Sequence, residues 1–275
     1  MQNNNHPSDV LYWLLREQPR WRVGQPNATT RHLDGRTVVI VGVNAISSRL
    51  VTTLVSFGWK NCHVLDEAKL RDPRFMDGNG KLLAGAWPAE LHSVESPQDW
   101  RDGIAPDSVD CMVACSDCGE IDALREWNRF CVEHKIRFFP LVLQNLIGHV
   151  GPFVLPGETA CYECLYARQN SHLEDPGPQR TALALVTRGQ SSTGFHVATG
   201  SLVGTIAACE LIKFYSDAQP ESNIGKLILV SLFDTRLEAR KVLKVPRCSV
   251  CSPLHTRSSA TPYKSCQSPE GLADT

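Results

Sequence analysis

Thr37-Val-Val-Ile-Val-Gly42 is followed at once by Val43-Asn-Ala-Ile-Ser47. Five β-branched residues in a row, closed by a glycine, read as a parallel strand buried on both faces. From Ile46 to Gly58 the apolar residues Ile46, Leu50, Leu54 and Phe57 fall at helical spacing, and Gly58 suits a helix C-terminus. A second strand, Cys62-His-Val-Leu-Asp66, ends in an acid 24 residues after Gly42. Strand, glycine turn, helix and acid-tipped strand in this order predict an α/β, Rossmann-like domain with a mostly parallel sheet and flanking helices.

The alternation runs on. A strand over Val109 to Ala114 leads into Cys115-Ser-Asp117, a helix covers Ile121 to His134, and a further strand covers Arg137 to Leu143. Gly151-Pro-Phe-Val-Leu-Pro-Gly157 punctuates a hairpin or loop, and Asn170 to Arg188 reads as a polar crossover. Gly194 to Tyr215 is a long helix of small and apolar residues. Lys226 to Phe233 and Arg240 to Val245 alternate as antiparallel strands, forming a C-terminal extension. Residues 1–35 read as an arm with a short helix from Ser8 or Asp9, stopped by Pro19, and a polar connector to Gly35. Residues 36–251 form the organised domain, and Ser, Thr and Pro mark 252–275 as a disordered tail. The stretch from Glu67 to Trp100 has no readable periodicity.

Composition narrows the function classes. With 275 residues, 42% hydrophobic and 21% charged, the chain is of ordinary globular make-up. A formal net charge of −1 offers no general pull toward nucleic acid or anionic membrane. No apolar run reaches the roughly 18 residues of a membrane span, and the N-terminus lacks signal-peptide character. The expected location is cytoplasmic, where the eleven cysteines serve as thiols or metal ligands.

Two Cys-x-x-Cys pairs, Cys161/Cys164 and Cys248/Cys251, stand among prolines and glycines more than eighty residues apart. Four thiolates close a tetrahedral zinc and leave no open position, so Zn2+ here is structural. A thioredoxin-like role is set aside because neither pair is expected to open a helix after a strand. Cys111, Cys115 and Cys118 have the C-x3-C-x2-C spacing of radical iron–sulfur enzymes, yet Cys111 falls inside an apolar strand. Small buried residues explain that spacing better than a cluster.

For nucleotide, the candidates are Gly42, Asn44, Asp66 and Asp117. Gly42 would turn the strand into the helix whose N-terminus favours phosphate. Asn44 and Ser47 stand at the other two glycine positions of the motif. Asp66 is placed to hold ribose hydroxyls or simply to end its strand. Asp117 is placed to hold magnesium beside a triphosphate or to cap the next helix. ATP with Mg2+ is thus carried by a weak loop motif.

Val38-Val-Ile-Val-Gly42, Val64-Leu-Asp66, Ala114-Cys-Ser-Asp117, Gly151-Pro-Phe, Cys161-x-x-Cys164, Ala207-Ala-Cys-Glu-Leu-Ile-Lys213 and Cys248-x-x-Cys251, in this order, resemble the ThiF/MoeB group. These are relatives of ubiquitin-activating enzymes that adenylate a carboxylate. Gly151 to Cys164 and Pro246 to Cys251 look like the ThiF-like component of azole-forming cyclodehydratases. That resemblance implies a precursor peptide, a YcaO-type partner that performs the ATP chemistry, and a homodimer. Departures are the single loop glycine, Asp72-Pro-Arg-Phe75 where active relatives carry an arginine–glutamine motif, and the lack of a cysteine between Cys164 and Cys209. Arg74 is the remnant of that motif or a surface arginine. The resemblance therefore implies a subunit with a degenerate ATP site. The alternative is an active adenylating enzyme using Asp117 and Arg74. About 35 residues precede the first strand, too few for the winged-helix leader-binding module of some relatives. Trp13, Trp21 and Arg22 in the arm would pack it down or contact a partner. Nothing marks a hydride-transfer site for a nicotinamide reductase.

Overall fold

The computed structural model describes residues 33, 35–79, 81–83, 94–98, 100, 108–144, 146–171, 197–215 and 224–254. The arm through residue 32, the crossover beyond Ser171 and the tail from residue 255 lie outside the described residues.

Strand β1 (Val38–Val41) is central to the parallel part of the sheet. On one side it pairs in parallel with β2 (Cys62–Leu65), which pairs with β3 (Val94–Glu95). On the other it pairs with β4 (Cys111–Ser116), and β4 with β5 (Arg137–Gln144), again in parallel. Three antiparallel strands follow: β6 (Ile147–Val150), β7 (Lys226–Ser231) and β8 (Arg236–Lys241). Among the described residues this is one eight-stranded sheet in the order β3-β2-β1-β4-β5-β6-β7-β8.

The β-branched run works because both faces of β1 are covered. Val38 and Ile40 join one core with α1 (Ala45–Ser56) and α4 (Val197–Tyr215), while Val39 and Val41 join another with α2 (Ile121–Glu133) and α3 (Tyr162–Ser171). Helix α4 is long and apolar enough to cross a membrane, but Val203, Ala207, Ala208 and Leu211 are buried in the first core. Small residues let it lie close to α1. Leu33, expected in a polar connector, is buried in the same core.

Strand β6 lies just before Gly151, in a stretch for which the sequence offered no element. Two expectations need correction. The last strand runs over Arg236–Lys241 and not Arg240 to Val245, because it forms the sheet edge and five of its six residues are exposed, so burial leaves little mark on its sequence. Helix α3 opens directly after Cys161, so the first cysteine pair does sit at a helix start. Cys111 and Cys115 are buried within β4, as expected of sheet residues, and burial drives both thiols well above the ordinary range.

Candidate functional site

The strand order reverses between β1 and β4, and ligands of open α/β sheets bind in the crevice beyond the carboxyl ends at such a point. Gly42 and Asp117 end these two strands. Gly42 has φ +102°, and a Cβ there would stand 2.7 Å from the Cys115 carbonyl and 2.9 Å from Leu70 Cβ. Only glycine fits.

Asn44 caps α1 and is fully buried. Its Oδ1 accepts from Ser47 N at 3.1 Å, and Ser47 Oγ accepts from Asn44 N at 3.0 Å, a reciprocal capping box. Asn44 Nδ2 donates to the Leu70 and Cys115 carbonyls at 3.0 and 2.8 Å. The residues at the motif's second and third glycine positions are therefore engaged in tying the loop to its own neighbours.

Asp117 turns back onto α1, accepting from Ala45 N at 3.3 Å. A carboxylate thus sits at the helix N-terminus that would attract phosphate. It is 3% exposed, and its pKa is pushed up to about 7. Loss of water is the largest cause, then the neighbouring Asp72 charge; the Ala45 N–H and Arg74 pull the other way. Arg74 reaches Asp117 at only 4.0 Å, and its firmer partner is Asp72, with Nη2 to Oδ2 at 2.6 Å. Asp72 also accepts from Arg74 N at 2.9 Å and donates its own N–H to the Val43 carbonyl at 2.8 Å.

Asp66 ends β2 beside this crevice, gripped bidentately by Arg71 at 2.7 and 2.6 Å. Arg71 and Asp72 were not singled out by the sequence reading. Their short spacing from Asp66 and Arg74 was visible, but the unperiodic stretch gave no register in which to place them. The structure brings Gly42, Asn44, Asp117 and Arg74 together around one crevice, with Asp66 one strand away.

The second site lies behind α2. Cys161, Cys164, Cys248 and Cys251 have all four Sγ atoms within 4.8 Å of one another. Separations are 3.6 Å for Cys161–Cys248, 3.9 Å for Cys161–Cys164 and 3.4 Å for Cys164–Cys251. Four sulfurs at about 2.3 Å from one zinc stand about 3.8 Å apart, so the set fits a tetrahedral metal. Thiol hydrogen bonds from Cys161 and Cys251, with Val245 N–H at 3.4 Å, hold Cys164 far below the ordinary thiol range. Helix α3 is anchored to α2 by Arg125 on Glu163, both bonds at 2.8 Å, and by Tyr162 N on Asn128 Oδ1 at 2.9 Å. The helix start after Cys161 removes the argument from loop setting against a redox pair. The second pair lying on the first replaces it.

The described geometry can be set beside known proteins. Microcin C7 biosynthetic enzyme MccB, solved in complex with N-formylated MccA, is similar in fold at 18% identity and TM-score 0.62, over 82% of this chain and 70% of that one. E. coli MccB solved with ATP gives 17% identity and TM-score 0.65, over 90% of this chain and 75% of that one. The heterocyclase TruD gives 17% identity and TM-score 0.57, over 96% of this chain but only 33% of TruD. None of the curated proteins matches the sequence. The ThiF family model matches residues 89–250, a stretch holding Asp117, Cys161, Cys164 and Cys248. With more than half the chain matched and the sheet reversing at Gly42 and Asp117, the protein belongs to the ThiF family.

Proposed function

We propose that this chain is a ThiF-like subunit of a peptide-modifying, azole-forming cyclodehydratase complex, with a degenerate ATP site. It binds a precursor peptide, docks a YcaO-type catalytic partner, and works as a homodimer in the reducing cytoplasm. One observation carries the reading: the phosphate-attracting end of α1 is filled by the protein's own Asp117 carboxylate. A triphosphate entering there must displace a buried, hydrogen-bonded group, and above about pH 7, where Asp117 is ionised, it also meets like charge. The likeness to MccB, solved with MccA, and to the heterocyclase TruD supports peptide work on this fold. Free thiols at the described cysteines agree with a reducing compartment.

Cys161, Cys164, Cys248 and Cys251 would hold zinc. With four protein ligands the metal supplies no open coordination position, so its contribution is structural. It fixes the C-terminal knuckle against α3.

The alternative is an adenylating enzyme acting on a peptide or carrier carboxylate. Asp66 and Asp117 support it, standing at the carboxyl ends of the two strands beside β1. Isothermal titration of the zinc-replete protein with magnesium-ATP separates the two. The subunit reading expects no saturable heat. Tight binding, together with pyrophosphate exchange that Asp117→Ala abolishes, would replace it with the adenylating enzyme.

A further inference from the structure

Strand β8 is the last strand of the sheet, and no described residue pairs with its outer edge. Which backbone groups face outward follows from the ladder. Val242 N–H donates to the Gly225 carbonyl at 2.8 Å, and antiparallel pairs alternate between bonded and non-bonded. Counting back along the register, Arg240, Glu238 and Arg236 bond to β7. The N–H and C=O groups of Leu237, Ala239 and Lys241 therefore point away from the sheet.

The side chains around this open edge have a marked sign. Residues 236–247 carry five cations, Arg236, Arg240, Lys241, Lys244 and Arg247, against the single acid Glu238, in a chain of net charge −1. All five cations are exposed. Glu238 is itself neutralised from both sides, by Arg236 and by Arg240 at 2.6 Å. Leu237 on the opposite face is 63% exposed, and Phe233 at the β7–β8 turn is 93% exposed. Native sheets blunt an open edge with lysine, proline or a bulge, and the lysine here comes with apolar neighbours rather than a bulge.

We infer that β8 receives an acidic, extended peptide segment as a ninth, edge-added strand. The inference rests on the peptide-binding reading above and names the surface that would do the binding. Main-chain bonds to Leu237, Ala239 and Lys241 supply affinity, and alternate side chains supply selection. Acidic residues of the incoming strand lie on the Arg236–Arg240 face, and apolar residues lie beside Leu237. A second copy of this chain is a poorer occupant, since it would bring the same cationic stretch against itself.

The turn between β7 and β8 lies at the same sheet end as Gly42 and Asp117, because β7 runs parallel to β5. A segment held on β8 is thus led toward the crevice end of the sheet.

The test uses a blocked octapeptide alternating valine with glutamate, read by anisotropy against the full zinc-replete chain at low salt. Controls replace glutamate by lysine, or methylate alternate amides of the probe. The glutamate probe is expected to bind at least about tenfold more tightly than the lysine probe, and the N-methylated probe not at all. Ala239→Pro removes an outward N–H while leaving the β7 ladder whole, and should weaken binding at least about tenfold with unchanged melting. Arg240→Glu with Lys241→Glu should reverse the charge preference. Equal binding of both probes, or full binding by a folded Ala239→Pro protein, would overturn the inference. So would a dimer that Ala239→Pro converts to monomer, since a second copy would then hold the edge. A failed probe with a silent magnesium-ATP titration removes only the β8 assignment, because that titration reads the α1 crevice.

Discussion

Asp117 is held out of water at the N-terminus of α1, where the helix attracts its charge while Asp72 repels it. Desolvation wins, so the proton stays until about pH 7 against an ordinary carboxylate value of 3.8. The sign follows from linkage: the folded state binds this proton more tightly than the unfolded chain does. Its stabilising contribution is complete below about pH 3.8 and is lost as pH rises to about 7. Asp117→Asn keeps an acceptor for Ala45 N–H and has no charge to bury. Urea unfolding across this range should show the variant gaining on the wild type as pH rises, with the difference flat above about pH 7. Identical pH slopes for the two proteins would contradict the burial argument. At this scale the spacing along the chain was enough to place Gly42, Asp66 and Asp117 at strand ends and to bring the two cysteine pairs to one place. It was silent on Asp72 and Arg71, whose meaning depends on which loops meet in three dimensions.

Among the elements, α4 lies directly against the backbone of α1. A Cβ on Gly204 would stand 2.5 Å from the Ile46 carbonyl oxygen and 3.0 Å from Leu50 N, both backbone atoms of α1. Two effects compete when Gly204 becomes alanine. Helix propensity favours alanine by about 1 kcal/mol. Overpacking against backbone, which cannot swing aside, costs about 1–3 kcal/mol. The clash should win, leaving Gly204→Ala less stable by roughly 1 kcal/mol in urea unfolding. A variant as stable as the wild type would mean that the two helices can part without cost. The same closeness explains why β6 escaped the sequence reading. Gly148 lies within β6, and a Cβ there would meet Val203 of α4 at 2.2 Å. A glycine in so short a strand looks like a turn signal, yet here it marks close approach by a helix. Strand β8 was misplaced for the opposite reason: little of it is buried, so no hydrophobic period records its position.

Over the whole molecule, the two cysteine pairs join parts of the fold whose other attachments are unequal. The first pair belongs to α3, which α2 already grips through Arg125–Glu163 and Asn128–Tyr162. The second pair sits in a stretch after β8, tied back by Arg168 to the Leu243 and Lys244 carbonyls at 2.7 and 3.0 Å. It is also held by Lys244 Nζ to the Gly157 carbonyl at 2.5 Å, and by the buried Val242 and Cys248. The core on the α1 and α4 face of the sheet contains none of the four cysteines, whereas the core under α2 and α3 includes Cys161, Cys164 and Cys248. The cysteine spacing made the cluster legible from the chain, whereas this inequality became visible only once α2 and α3 were seen in contact. If zinc occupies the cluster, its binding free energy adds to folding, and stripping it should lower the melting temperature by more than about 10 °C. The loss should also be uneven. In the Cys248→Ser, Cys251→Ser protein, amides over 245–254 should exchange freely and α3 should exchange moderately faster. Those of β1, β4 and β5 should keep their protection. Hydrogen exchange with metal analysis of the same samples decides the matter. One equivalent of zinc released with this graded pattern supports a local clamp on a self-sufficient sheet. Uniform loss of protection would make the metal part of the core's own stability, and a wild type that holds no metal would remove the clamp altogether.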